Sequence, residues 1–194
     1  EIVSHFFQEK GKKVLTFVGY SGSGYEKEDE MIIKANEILS KFSPDDTIIN
    51  IGATYYGIGI LYREAKKLGF ETTGIVSSLS NRSRNGQNSF SKFCDYVFLI
   101  QDKTYGGFID KNKEILSPTS ELMVSSSDIL VALGGGAISH DEFYMAKKRK
   151  KKVAYYPFDS NHSKVSNKST YHGNPPPTNF SSPVAQVADE TDVL

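Results

Sequence analysis

The chain has 194 residues, 38% of them hydrophobic and 24% charged, which suits one folded domain and excludes a disordered chain or two full domains. Its formal net charge is zero, so no global field draws it to nucleic acid or to an anionic membrane. No apolar run approaches the roughly 20 residues of a membrane span, nothing resembles a signal peptide, and the single cysteine, Cys94, excludes an internal disulfide and fits a reducing, cytoplasmic setting.

Short apolar runs alternate with helical patterns, the pattern of successive βα units and a mostly parallel sheet of about six strands in a Rossmann-like three-layer α/β fold. Residues 14–19 (VLTFVG) read as the first buried strand, followed by a loop at residues 20–25. Met31, Ile32, Ala35, Ile38, Leu39 and Phe42 recur at helical spacing and predict a helix over residues 28–42, broken by Ser43-Pro44-Asp45-Asp46. A second strand at residues 47–51 leads through Gly52-Ala53-Thr54 into a helix with Ile58, Leu61, Ala65 and Leu68 on one face and a stop at Gly69. Residues 72–76 give a third strand. The polar stretch 77–93, with Arg82 and Arg84, is long for an ordinary connection and marks a mobile loop or part of a site.

Residues 96–100 (YVFLI) are a fourth strand, and residues 101–116 read as irregular, with a turn at Gly106-Gly107. Ser117-Pro118 starts a short helix, with serine at the cap and proline in the first turn. A fifth strand at 129–133 (ILVAL) runs into Gly134-Gly135-Gly136 and a helix to about Lys150, and residues 153–156 are a sixth strand. Residues 1–160 are thus assigned to a ligand-binding domain. Residues 161–194, rich in Ser, Asn and Pro, are expected to form a loosely ordered tail dispensable to the core. The chain opens at Glu1 rather than Met, which leaves room for a further domain.

Glycine-bearing segments follow three of the strands, where open parallel sheets bind ligands. In the first, Gly19, Ser21, Gly22 and Ser23 offer close backbone approach and hydroxyl donors to an anion, or form a plain surface turn. In the second, Gly52, Thr54, Gly57 and Gly59 stand at a helix start; they suit a phosphate on free amides, or close helix–strand packing. The spacing is not that of a dinucleotide fingerprint, and Ser77 and Ser78 stand where an acidic residue would close the next strand. The third is the most telling, because Gly134, Gly135 and Gly136 leave a buried strand and Ser139 and Glu142 follow. Ser139 and Glu142 have capping-box spacing; the other reading puts Glu142 in a ligand mouth against sugar hydroxyls.

Residues 134–142 resemble the P-G-G-x-G-T-x-x-E motif of the LOG family, often called lysine decarboxylase-like, within the SLOG superfamily of Rossmann-like nucleotide-binding proteins. Gly134 stands for the proline, Gly135 and Gly136 for the glycine pair, Ser139 for the threonine and Glu142 for the glutamate. Met123 and Ser127-Asp128-Ile129 resemble the family's run into this strand, and the likeness spans residues 14–158. Two departures stand out: Ile138 replaces the last loop glycine, and the family's arginine falls near Thr119 and Ser120, neither of them basic. The resemblance implies homodimers and, in family enzymes, hydrolysis of the bond between a base and ribose 5′-phosphate by that arginine and the glutamate.

Lesser candidates are His140, beside the third loop, as an acid–base group, and Asp159 and His162 at the border of the same mouth. The run 147–152 (KKRKKK) is a nucleic-acid patch or a solvated helix end, and the neutral net charge favours the latter. No metal-ligand spacing is present, and neither a metal nor a cofactor is expected. The sequence therefore leads to a sensor or carrier for a nucleotide- or ADP-ribose-like small molecule, with a nucleotide N-glycosidase as the alternative in which Glu142 stabilises an oxocarbenium-like transition state.

Overall fold

The computed structural model describes residues 1–81 and 90–194; Arg82 and Arg84 lie outside the described residues. Helix α1 (Ile2–Lys10) precedes strand β1 (Lys13–Gly19), helix α2 (Glu28–Leu39), β2 (Thr47–Ile51), α3 (Leu61–Lys67) and β3 (Glu71–Ser77). Strand β4 (Tyr96–Ile100) is followed by a hairpin of β5 (Phe108–Asp110) and β6 (Ile115–Leu116), then α4 (Pro118–Ser126), β7 (Ile129–Leu133), α5 (Ala137–Lys148), β8 (Lys152–Tyr156) and α6 (His162–Tyr171). Six strands form one parallel sheet in the order β4-β3-β2-β1-β7-β8. The order reverses at β1, whose neighbours β2 and β7 continue the chain in opposite directions, so a crevice opens at its carboxyl end.

The central strands are buried on both faces, as a parallel sheet covered by helices requires. Leu15, Phe17, Ile49, Ile51, Val131 and Leu133 point to one face and pack with Met31, Ala35 and Leu39 of α2 and Leu61 and Ala65 of α3. Val14, Val18, Ile48, Leu130 and Ala132 point to the other, against α1, α4 and α5 through Val3, Phe7, Val124, Phe143 and Ala146. Polar side chains buried in this second face satisfy one another. Asn50 donates to Thr16 Oγ1 at 3.2 Å and accepts from Thr73 Oγ1 at 3.0 Å, and Ser127 donates to Thr16 at 2.6 Å. These bonds cross β1, β2 and β3 and hold the end of α4 against them.

Several expectations are corrected. Helix α2 ends at Leu39 rather than Phe42, and α5 at Lys148, with Lys150 already left-handed at φ 59°. Leu68 does not join the buried face of α3; it lies past the last turn and is 45% exposed. The stretch 101–116 contains the β5–β6 hairpin, and α1 has no counterpart in the sequence reading. Ser117 caps α4 with Pro118 behind it, as expected.

Residues 161–194 are ordered against the core rather than loose. Asn161 caps α6 by accepting from the Lys164 amide, and Val184 is fully buried with Leu130, Phe143 and Val153. Lys147 of α5 grips the end of the chain, with Nζ 2.6 Å from Asp189 and 2.6 Å from the buried Asp192. The basic run is thus largely engaged: Arg149 pairs bidentately with Glu121, Lys148 pairs with Glu114, and Lys151 donates to the carbonyls of Ser125 and Ser127. Composition misses this docking because scattered apolar residues (Val184, Val187, Ala188 and Leu194), an ion-pair cluster and hydrogen bonds such as Ser182 Oγ to the Gly135 carbonyl, not a periodic apolar face, hold the segment.

Val184→Ala removes two buried methyl groups and leaves a cavity, a loss of about 2 kcal/mol. The melting temperature is expected to fall by roughly 4–8 °C for a domain of this size; thermal denaturation followed by circular dichroism measures it, and an unchanged value would show that the segment is not docked.

Candidate functional site

The first glycine loop is fixed by a buried tyrosine. Tyr25 Oη accepts from the Tyr20 amide at 3.2 Å and donates to the Leu133 carbonyl at 2.6 Å, tying the end of β1 to the end of β7. Burial pushes this phenol well above its ordinary range, so it remains a donor. The second loop locks onto the first, since the Ile58 amide donates to the Tyr20 carbonyl at 2.7 Å. Gly57 is needed for that contact: at φ +54° a Cβ there would lie 2.2 Å from the Tyr20 oxygen.

Helix α5 begins where the third loop ends. Its cap is Gly136, and no side chain caps it. Ser139 and Glu142 lie inside the helix, so the capping box does not form. Ser139 Oγ instead reaches the Gly19 carbonyl at 3.3 Å, and Glu142 Oε1 accepts from Ser120 Oγ at 2.6 Å. Ser120 in turn accepts from the Gly107 amide at 2.7 Å. Position 120 thus meets the glutamate with a hydroxyl rather than a cation. The first-turn amides of α5, including those of Ile138 and Ser139, have no carbonyl partner within the helix and point their partial positive charge along its axis.

These pieces enclose a cavity of about 570 Å³ at the carboxyl ends of β1, β2 and β3. Phe17, Ile51, Ile75 and Met123 form apolar wall; Ser21, Thr54, Ser77, Thr119 and Ser139 supply hydroxyls. Glu142 is the one acidic or basic side chain among its described lining residues. Burial pushes its carboxyl up to about 7, opposed by the Ser120 hydrogen bond and reinforced by neighbouring Asp141. One side of the mouth is held by Asp102. Burial there acts upward on the carboxyl, but hydrogen bonds from the amides and hydroxyls of Thr119 and Thr104 outweigh it and hold the group at about 2.

Of the residues singled out from sequence, Gly19, Ser21, Gly22, Gly52, Thr54, Ser139 and Glu142 line this cavity. Ser23, Gly57, Gly59, Gly134, Gly135, Gly136, Asp159 and His162 do not. For Gly135 the reason is packing: a Cβ at φ +110° would lie 2.5 Å from Ser139 Oγ. Asp159 and His162 instead pair with each other at 3.3 Å, and the His162 ring stacks on Phe180 at 4.1 Å. His140 lines a separate groove of about 410 Å³, its Nδ1 2.9 Å from Asp141 Oδ1. The sequence reading missed Phe17, Tyr55, Tyr105 and Met123 as lining residues; only the tyrosine pair next to Thr54 offered a local signal.

No protein-family model and no curated protein matches the chain. Among solved structures, the fold is similar to the molybdenum cofactor carrier protein of Chlamydomonas reinhardtii, at 20% identity and a TM-score of 0.51, over 74% of this chain and 76% of that one. It is similar to the molybdenum cofactor binding protein of the phototrophic bacterium Rippkaea orientalis, at 16% identity and a TM-score of 0.53, over 84% and 86%. The X-ray structure of TM1055 matches at 16% identity and a TM-score of 0.50, over 72% and 71%. The chain thus has a Rossmann-like three-layer α/β fold with a six-stranded parallel sheet. Among the described residues no helix is long and apolar enough to cross a membrane, and no cluster of His, Cys, Asp or Glu could hold a metal ion.

The folded protein holds the Glu142 proton more tightly than the unfolded chain, so stability falls as pH rises from about 4.5 to about 7 and stays lower above it. Glu142→Gln removes this slope. Relative to wild type the variant is expected to gain stability from pH 5 to pH 8, by up to about 3 kcal/mol. Urea denaturation across that range tests it; parallel profiles would mean an ordinary, hydrated carboxyl.

Proposed function

We propose that this chain is a carrier- or sensor-type member of the SLOG superfamily that binds a phosphorylated small molecule bearing a heterocycle, of nucleotide or ADP-ribose type. One observation weighs most in favour of this reading: a cavity at the carboxyl edge of the sheet whose described lining has hydroxyls, glycine loops and a helix start, but a single ionisable carboxyl and no cation. The phosphate lies at the loop 19–22 and the first turn of α5, where backbone amides are the donors. The sugar hydroxyls face Glu142, whose Oε2 has no partner among the described residues. The heterocycle rests on the apolar wall. Because the similar folds include molybdenum cofactor carrier and binding proteins, that cofactor is the second ligand this site is proposed to take. Self-association, implied by the family resemblance, belongs to the same reading.

The hydrolase reading is disfavoured by the Ser120–Glu142 pair. Breaking the bond between base and ribose needs a preorganised charged group beside the reacting sugar, and losing one costs on the order of 10²–10³-fold in rate. Ser120 supplies only a neutral hydroxyl at that position.

The test is incubation with AMP, GMP, ADP-ribose and molybdenum cofactor, followed by chromatography of retained and free fractions. An intact ligand is expected on the protein, with no free base above background. At pH 8 Glu142→Gln is expected to weaken binding by about 1–2 kcal/mol, the scale of a charge-assisted hydrogen bond, and by less at pH 6, where the native carboxyl is protonated. Rapid base release by wild type that vanishes in Glu142→Gln would establish the hydrolase instead.

A further inference from the structure

The cavity does not end at the second glycine loop. Tyr55 and Phe90 line it and also line a second space of about 550 Å³ on the far side, so the two share a wall. The main cavity alone is already in the size range of one compact ligand. The annex is chemically unlike it. Its remaining walls include Arg63 of α3, Lys92 and Phe93. Arg63 Nε reaches neighbouring Glu64 at 3.3 Å, but its two Nη groups have no partner among the described residues. Lys92 Nζ lies 5.2 Å from the centre of the Phe93 ring and has no acidic partner among the described residues.

The junction is built of exposed aromatic surface. Tyr55 and Tyr56 pack against each other with ring centres 3.9 Å apart and planes tilted by 34°, and remain 46% and 54% exposed. Just before them stands Ala53, a buried non-glycine residue at φ 61°, whose carbonyl accepts from the Ser91 amide at 2.9 Å. A non-glycine residue in the left-handed region is costly and persists where surrounding contacts over-determine it. It precedes two exposed tyrosines at the boundary between a cavity with no cation among its described lining residues and a cationic one. Large apolar rings left exposed in a pair serve poorly as core and well as a stacking platform.

We infer that the annex takes the second half of a dinucleotide-type ligand, its ring on Tyr55 and Phe90 and its adjoining phosphate on Arg63 and Lys92. This rests on the proposed binding function and narrows it. Arginine offers paired donors in a fork that matches phosphate oxygens, and lysine adds a point charge. A mononucleotide in the main cavity leaves both cations unused; a second nucleotide half engages them without entering the site of Glu142.

Isothermal titration separates the possibilities, with AMP and GMP as mononucleotide probes and diadenosine diphosphate and diguanosine diphosphate as their two-headed counterparts. Against the whole chain, the better dinucleotide is expected to bind at least about tenfold more tightly than its mononucleotide. The double variant Arg63→Gln, Lys92→Gln is expected to abolish that advantage and leave mononucleotide affinity unchanged, with an unaltered melting curve showing that it folds. Tyr55→Ala is expected to reduce the advantage as well. Equal affinity for both ligand sizes, or an advantage that survives the double variant, overturns this inference and leaves the binding function standing. Absence of binding by all four probes overturns the nucleotide reading and this inference together.

Discussion

The site is organised around a buried carboxyl that meets no cation among the described residues. Glu142 is 5% exposed, and its protein partner is the hydroxyl of Ser120. An isolated buried carboxylate is costly, and a protein can lower that cost by pairing it, by hydrogen-bonding it or by protonating it. This chain uses the last two. The same hydroxyl accepts from the Gly107 amide, so one short chain of bonds joins the turn before β5, the first turn of α4 and the second turn of α5. Asp102 adds its own bonds from Thr119 and Thr104, fixing the start of α4. The position of α5 over the crevice between β1 and β7 depends on this cluster, and with it the amides aimed at any anion bound there.

The chemistry follows from what that arrangement omits. A cavity with neutral donors and one carboxyl near neutrality can recognise a phosphate through backbone amides and a sugar through its hydroxyls. Among its described lining residues it has little with which to stabilise a separating charge. Binding without turnover is what the proposed carrier or sensor function requires, and the Ser120–Glu142 pair is where this chain departs from the enzymes its third loop resembles. Among the described residues, the cations Arg63 and Lys92 line the adjoining space beyond Tyr55.

Much of the fold was legible because buried parallel strands are short apolar runs. VLTFVG, TIINI and ILVAL are such runs, and each is a strand of the sheet. The glycine loops were legible as positions, though not always in role: Gly57 and Gly135 allow close packing that shapes the cavity from behind rather than touching its space. Glu142 was legible as a carboxyl with two readings, and only the third dimension excluded the capping box and set Glu142 on a cavity wall. Its partner is 22 residues away on another helix, a contact that no local spacing encodes. The docked C-terminal segment was hidden for the same reason. Val184 belongs to a core made by distant strands, and Lys147 looked like one more cation in a basic run until Asp189 and Asp192 folded back to it.

The most direct test of the central claim is a carbon-13 NMR titration of the Glu142 carboxyl, assigned through Glu142→Gln, with and without the ligand that the protein retains. The expected result is a carboxyl that titrates near 7 in the free protein and shifts downward when ligand hydroxyls donate to it. A carboxyl that titrates in the ordinary glutamate range and does not move with ligand would contradict it.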